Sequence, residues 1–177
     1  MKKALVFAGS NSKSSINKQL AISASEKLKN FDIQIVDLND YAVPMYGIDL
    51  ENESGIPENA QEFNKLLLEN DGVILSLAEH NGSYAAVFKN LFDWLSRIDS
   101  KVWKSKPMLL MSTSPGGRGG AGVLSGAKTT FSHLGGNIVS EFSLPSFFDN
   151  FKEGTIVNSE LENQLSDAVE TFEASFI

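Results

Sequence analysis

Short uninterrupted apolar runs alternate along the chain with longer stretches whose apolar positions recur every three or four residues. Ala4–Ala8 (ALVFA), bounded by Gly9-Ser10, reads as a strand buried on both faces. From Ser15 to Asn30, Ile16, Leu20, Ala24 and Leu28 mark one helix face. A second strand is predicted over Ile33–Leu38, followed by a long loop from Asp40 to Pro57 rich in Tyr, Pro, Gly, Asp and Asn. Pro57 suits a first helical turn, and Ala60, Phe63, Leu66 and Leu67 give the next helix its apolar stripe. Val73–Leu77 is the third strand and Ser83–Ile98 a strong helix with Val87, Leu91, Trp94, Leu95 and Ile98 inward. Lys106-Pro107 introduces the fourth strand, Met108–Ser112, before a Gly-rich loop from Ser114 to Gly122. A helix over Val123–Leu134, ended by Gly135-Gly136, a strand over Asn137–Phe142 and a last helix marked by Leu161, Leu165, Val169 and Phe172 complete the pattern.

Five β/α pairs in succession predict a doubly wound parallel sheet of five strands in a three-layer α/β/α arrangement, because right-handed crossovers place helices on both faces; the strands are taken in the order 2-1-3-4-5. The 177 residues fit one domain, 1–177, with 42% hydrophobic and 21% charged residues. A net charge of −7 disfavours a nucleic-acid partner, which needs clustered Lys and Arg. The absence of cysteine excludes disulfides and thiolate chemistry, and no metal site is expected. Met1-Lys2-Lys3 and the short apolar run after it do not make a signal peptide, and no stretch nears the roughly 20 apolar residues of a membrane span. A cytoplasmic protein without membrane partners is expected.

In such a sheet, ligands bind beyond the carboxyl ends of the strands, where the strand order reverses. Three loops there carry unusual residues. Gly9-Ser10-Asn11-Ser12-Lys13-Ser14-Ser15-Ile16-Asn17 joins a buried strand to a helix start, offering hydroxyls, backbone N–H groups and the positive dipole end to a phosphate, with Lys13 adding charge. It has neither the Gly-x-Gly-x-x-Gly dinucleotide pattern nor a P-loop ending. One of its serines also serves as helix N-cap. Leu77-Ala78-Glu79-His80-Asn81-Gly82-Ser83-Tyr84 presents backbone donors to the edge of a planar ring, with His80 either flanking that ring or solvent-exposed; a turn or cap role suits Glu79 better than that of a base. Ser112–Gly122 has five glycines in eleven residues, which permits close backbone approach to a flat ligand. His133 is expected near the C-terminus of its helix, Phe92 and Trp94 in a core or subunit interface, and Asp93 with Arg97 as a surface ion pair.

The segments Glu79-His80-Asn81-Gly82-Ser83 and Lys89-Asn90-Leu91-Phe92-Asp93-Trp94-Leu95-Ser96-Arg97 resemble the Pro-Glu-Tyr-Asn loop and following Asp-Trp-Leu-Ser helix of the NADPH-dependent FMN reductase family, a flavodoxin-like group that includes azoreductases and quinone or chromate reductases. The first loop is similar to that family's Gly-Ser-x-Arg-x-x-Ser-x-Asn loop at Gly9, Ser10, Ser15 and Asn17, and the resemblance spans roughly residues 2 to 145. It implies that Ser10, Ser12, Lys13, Ser15, Ile16 and Asn17 surround an FMN phosphate. Ala78, Glu79, His80, Asn81 and Gly82 would line the isoalloxazine edge, and Ser114, Pro115, Gly116 and Gly117 would close the other side. The chain departs from the family at Ser12, where an Arg is usual, and at Ala78 and His80, which stand for Pro and Tyr. The implied activity is FMN-dependent NAD(P)H oxidation with transfer to a small acceptor, in a cytoplasmic homodimer or homotetramer. The flavin carries the redox chemistry, so binding residues and no side-chain catalyst are expected. An enzyme that takes FMN as a diffusible substrate, an electron carrier without steady-state reductase activity, and a flavin-free binding module share the same fold and stay open at this level.

Overall fold

A computed structural model of the chain describes residues 1–176. Its main sheet has five parallel strands: β1 (Lys2–Gly9), β2 (Phe31–Ile35), β3 (Gly72–Leu77), β6 (Pro107–Thr113) and β7 (Asn137–Leu144), in the order β2-β1-β3-β6-β7. That is the predicted 2-1-3-4-5 order. The pleat divides each central strand between two cores: Leu5, Phe7, Leu75 and Leu77 point to one face, Val6, Ile74, Leu109 and Met111 to the other. On the first face lie α3 (Glu58–Glu69), α4 (Ala86–Ile98) and α5 (Ala121–His133), contributing Phe63, Trp94 and Phe131. On the second lie α1 (Ile16–Ser25) and α7 (Ser159–Ala174), contributing Leu20, Ala24, Val169 and Phe172. Because β1, β3 and β6 are covered on both sides, their sequences read as continuous apolar runs.

Several predicted boundaries are corrected. The segment 40–57 is not all loop. Leu38–Tyr41 forms a 3₁₀ turn and Ile48–Ser54 forms α2, which has acidic Asp49 and Glu51 in its first turn and ends at Gly55 (φ +73°). None of its side chains is buried, so no apolar stripe announced it. The helix expected from Ser83 starts only at Ala86. The preceding residues make a hairpin of β4 (Glu79–His80) and β5 (Ser83–Tyr84), with Asn81 (φ +52°) and Gly82 (φ +77°) as its two turn residues. Both turn residues have positive φ, a requirement that Asn-Gly meets at low cost. Helix α1 stops at Ser25 rather than Asn30, closed by Lys27 N–H to Ala24 C=O (3.2 Å) and Leu28 N–H to Ser25 C=O (3.1 Å). β2 begins at Phe31, two residues early, with Leu38 already outside it. Between β7 and α7 the chain makes an unpredicted excursion: α6 (Phe147–Asn150) and a small hairpin, β8 (Phe151–Lys152) and β9 (Thr155–Ile156).

The expected Asp93–Arg97 pair does not form. Lys89, one turn earlier, takes Asp93 (2.7 Å), while Arg97 reaches across to Glu51 of α2 (2.9 Å). Phe92 and Trp94 are core residues, and Trp94 Nε1 donates to the Pro44 carbonyl (2.8 Å), fastening the 42–47 segment to α4. His133 closes the last turn of α5, as expected.

Candidate functional site

The carboxyl ends of β1, β3 and β6 carry a polar layer that the rest of the sheet lacks: Ser76, Ser112 and Thr113 are all buried there. Asn17 organises it. This residue is the second of α1, only 3% exposed, and its side chain points into the sheet. Its Oδ1 accepts from Ser76 Oγ (2.7 Å) and from Thr113 N–H (3.0 Å), and its Nδ2 donates to the Thr113 carbonyl (3.2 Å). The start of α1 is thereby clamped to the ends of β3 and β6. Asn17 was expected among the residues around a phosphate; its side-chain amide is engaged in this clamp, which leaves its backbone N–H for a ligand.

Ser15 caps α1, its Oγ accepting from Lys18 N–H (3.1 Å). The N–H groups of Ile16 and Asn17 find no acceptor among the described residues, which leaves the amino end of α1 open to an anion. Ser12 N–H bonds to Ser10 Oγ (3.1 Å) and Ser15 N–H to the Ser12 carbonyl (3.2 Å), so the loop curls over that helix end. A second brace comes from Asp37. Its carboxylate takes Lys18 Nζ (2.6 Å) and the Asn39 N–H (2.9 Å), and Asn39 Nδ2 in turn donates to the Asn11 carbonyl (3.2 Å). The Lys18 hydrogen bond, followed by that from the Asn39 backbone, holds the Asp37 carboxyl below its ordinary value. A carboxyl depressed on folding adds stability above its unfolded pKa of about 3.9, and that stability is lost as pH falls through the lower folded-state value. Thermal unfolding followed from pH 6 to pH 3 should therefore show a steeper acid-side loss of Tm in the native chain than in Asp37→Asn; parallel profiles would contradict the brace.

The β4–β5 hairpin turns Glu79 toward α5. That helix begins at Gly120, which has no side chain to cap it, and Glu79 Oε1 takes the Val123 N–H instead (2.9 Å). A Cβ on Gly122 would sit 2.3 Å from the same oxygen, so the close approach needs glycine there. The cap role anticipated for Glu79 is observed, and it ties the hairpin to the Gly-rich loop. Glu79→Ala should cost about 1 kcal/mol, the value of a lost helix cap, and lower Tm by about 2–4 °C in a chain of this size, with Glu79→Gln retaining most of it. Equal Tm values for all three chains would refute the capping role.

The glycines of 114–122 divide by task. Gly119 (φ +57°) passes so near β7 that a Cβ would lie 2.5 Å from Ser143 Oγ, and its carbonyl accepts from Ser112 Oγ (2.8 Å) and Ser143 Oγ (3.0 Å). Gly116 and Gly117 are exposed, with no atom crowding them.

All three loops converge on one cleft of about 250 Å³. Of the residues expected there, Ser10, Ser12, Ser15, Ile16, Asn17, Ala78, Glu79, His80, Ser114 and Pro115 line it. Lys13 stands exposed beside it, Asn81 and Gly82 form the hairpin tip, and Gly116 and Gly117 lie outside its walls. Three lining residues were not anticipated: Ser14, Thr113 and Phe148. The first two sit in the loops already singled out by their polar pattern, whereas nothing local marks Phe148. A larger depression of about 620 Å³ runs beside edge strand β7 toward α7, but it meets none of the three loops and presents Glu141 and Asp167 with no cation among its walls. Among the described residues no three His, Asp or Glu side chains are grouped to hold a metal ion, and no helix is long and apolar enough to cross a membrane.

Comparison with known proteins bears on the same region. A 2-hydroxy-1,4-benzoquinone reductase of Burkholderia sp is 36% identical over 121 residues, 67% of this chain and 64% of that protein. A quinone reductase of Escherichia coli (strain K12) is 34% identical over 79 residues, 45% of this chain and 42% of the relative. The chain thus spans less than two thirds of the length of these curated relatives. Among solved structures, FerB, a flavoenzyme NAD(P)H:(acceptor) oxidoreductase from Paracoccus denitrificans, superposes with a TM-score of 0.78 at 25% identity, covering 98% of this chain and 96% of that one. The family described as NADPH-dependent FMN reductase matches residues 2–149. That match starts with the first residue of β1 and runs past Phe148, taking in all five strands of the main sheet and every wall of the cleft, and the chain therefore belongs to the NADPH-dependent FMN reductase family.

Proposed function

We propose that this chain binds FMN in the cleft and works as an NAD(P)H-dependent oxidoreductase that reduces a small acceptor, a quinone being the class named for its relatives. The observation that carries this is the amino end of α1, where the free Ile16 and Asn17 N–H groups face a loop of serines. The donor set fits a phosphate monoester: backbone N–H groups, the hydroxyls of Ser10, Ser12 and Ser14, and the helix dipole are all donor or positive ends, with no carboxylate among the residues of that loop. Lys13, which makes no ion pair among the described residues, adds a cation at the rim of an otherwise acidic chain. Ala78 and Pro115 supply apolar surface of the kind a flat ring needs.

When bound, FMN supplies the acceptance of hydride from a nicotinamide and its delivery to the acceptor. The chain's contribution is orientation. Asn17 fixes the phosphate end against the sheet, and the Glu79–Val123 link fixes the ring-edge hairpin against α5. Glu79, the only carboxylate in the cleft walls, is occupied as a cap, so the residues act by binding rather than as acid or base. We read residues 1–177 as one domain that pairs with further copies into a cytoplasmic homodimer or homotetramer; light scattering that returned the mass of a single chain would remove the pairing.

The test is a titration of the dialysed chain with FMN, read by quenching of flavin fluorescence, followed by steady-state oxidation of NADH and NADPH with benzoquinone. One FMN per chain and sustained nicotinamide oxidation are expected. A chain that leaves added FMN fluorescent overturns the reading, and one that binds FMN without turnover is an electron carrier instead.

A further inference from the structure

Phe148 is the exposed aromatic at the cleft. It is 59% exposed, whereas Phe147 before it and Phe151 after it are buried and stacked on each other (ring centres 4.7 Å apart, planes 20° apart). Its exposure does not come from a loose segment. Ser146 N–H donates to the Gly116 carbonyl (2.9 Å) and Phe147 N–H to the Ser114 carbonyl (3.0 Å), so the turn before Phe148 is sewn to the Gly-rich loop. Asn150 Nδ2 donates to the Pro145 carbonyl (2.8 Å), and Lys152 Nζ donates to the carbonyl of Phe148 itself. Ser146 holds φ +46°, a left-handed conformation unfavourable to any residue with a Cβ and maintained only where the surroundings impose it. The fold thus fixes a phenyl ring in water at the rim of a cleft that it lines together with Ser14, Ile16, Ser114 and Pro115. An aromatic left in solvent contributes little to folding; its apolar area is recovered only when something apolar lies against it.

We propose that Phe148 is the closing wall of the cofactor cleft, covering FMN once it is bound and slowing its release. This rests on the FMN reading above and adds a residue from outside the three loops to the binding surface. A planar ring offers the π-face on which an aromatic side chain stacks, and such contacts act chiefly on dissociation rate. Since the ring is mostly exposed in the free chain, removing it should leave the fold intact, which separates a binding effect from a folding one.

The experiment is a release assay. The FMN-loaded chain is diluted into excess apoflavodoxin as a trap, and the change in flavin absorbance is followed in the native chain, Phe148→Ala and Phe148→Trp, with Tm measured for each apo chain. We expect Phe148→Ala to release FMN about tenfold faster, the order of one lost aromatic stacking contact, with an association rate and Tm close to native. Phe148→Trp should release within about twofold of native, because a larger aromatic restores the surface. A native chain that binds FMN while Phe148→Ala releases it at the native rate overturns this proposal and leaves the FMN reading standing. A native chain that never loads FMN overturns both.

Discussion

Asn17→Ala is expected to lower Tm by about 6–12 °C and to abolish tight FMN binding. The substitution removes one amide but strands three buried groups: the Ser76 hydroxyl, the Thr113 N–H and the Thr113 carbonyl. Each unpartnered buried group costs about 1–3 kcal/mol. Some relief comes from local relaxation, and a total near 3 kcal/mol corresponds to that Tm range at about 2–4 °C per kcal/mol for a chain of this size. The effect on binding follows from position. Among the described residues Asn17 is the side chain that hydrogen-bonds the start of α1 to both β3 and β6, so without it the helix end proposed to hold the phosphate is less firmly registered against the other two loops. Thermal unfolding by far-UV circular dichroism and FMN titration of the same sample would check both halves. Asn17→Asp makes a sharper control: it retains an oxygen for Ser76 and Thr113 N–H but sets a second oxygen against the Thr113 carbonyl, and it brings negative charge to an anion site. A Tm within 2 °C of native for Asn17→Ala would show that the clamp contributes nothing.

The second large effect is expected at Ser12, where the chain departs from the arginine usual in its family. Ser12 is exposed, lines the cleft and makes no side-chain hydrogen bond among the described residues, so charge can be changed there with little cost to the fold. Placing a unit charge about 4 Å from another at a protein surface changes the interaction by roughly 1–4 kcal/mol, depending on how much water intervenes. Ser12→Asp, facing a dianionic phosphate, should weaken FMN binding by about 100-fold, and Ser12→Arg should tighten it by about tenfold. Both shifts should shrink in high salt, since the site opens to solvent. Equal Kd values for native, Ser12→Asp and Ser12→Arg at low salt would place the phosphate elsewhere, whatever the fate of the rest of the proposal.

The sequence and the structure agree most closely where one physical requirement acts alone. Ala4–Ala8 and Val73–Leu77 could be read as strands because a strand covered on both faces must be apolar at every position, and the crossover rule then makes a parallel sheet with helices on both faces out of five such units. Agreement fails where two requirements meet in one segment. At Ser83–Tyr84 the apolar periodicity of α4 extends back into a hairpin whose only local mark is Asn81-Gly82. In α2 there is no buried residue, so hydrophobic patterning had nothing to report. The ion pair of Arg97 went to Glu51 because α2 lies across from α4, a neighbour that spacing along one helix cannot disclose.

For the cleft, composition and local chemistry singled out the three loops: hydroxyls and free N–H groups at a helix start, an Asn-Gly turn and clustered glycines are local properties of the chain. What the tertiary structure decided is how each group is used. It turned the Asn17 side chain inward to three buried partners, spent Glu79 on a helix that cannot cap itself, and assigned Gly119 to packing against β7. It also brought Phe148, 131 residues beyond Asn17, to the rim of the same cleft. The physical reason is that a side chain's local pattern fixes which bonds it is able to make, while the partner that satisfies them arrives from another part of the chain and is chosen only when the strands are side by side.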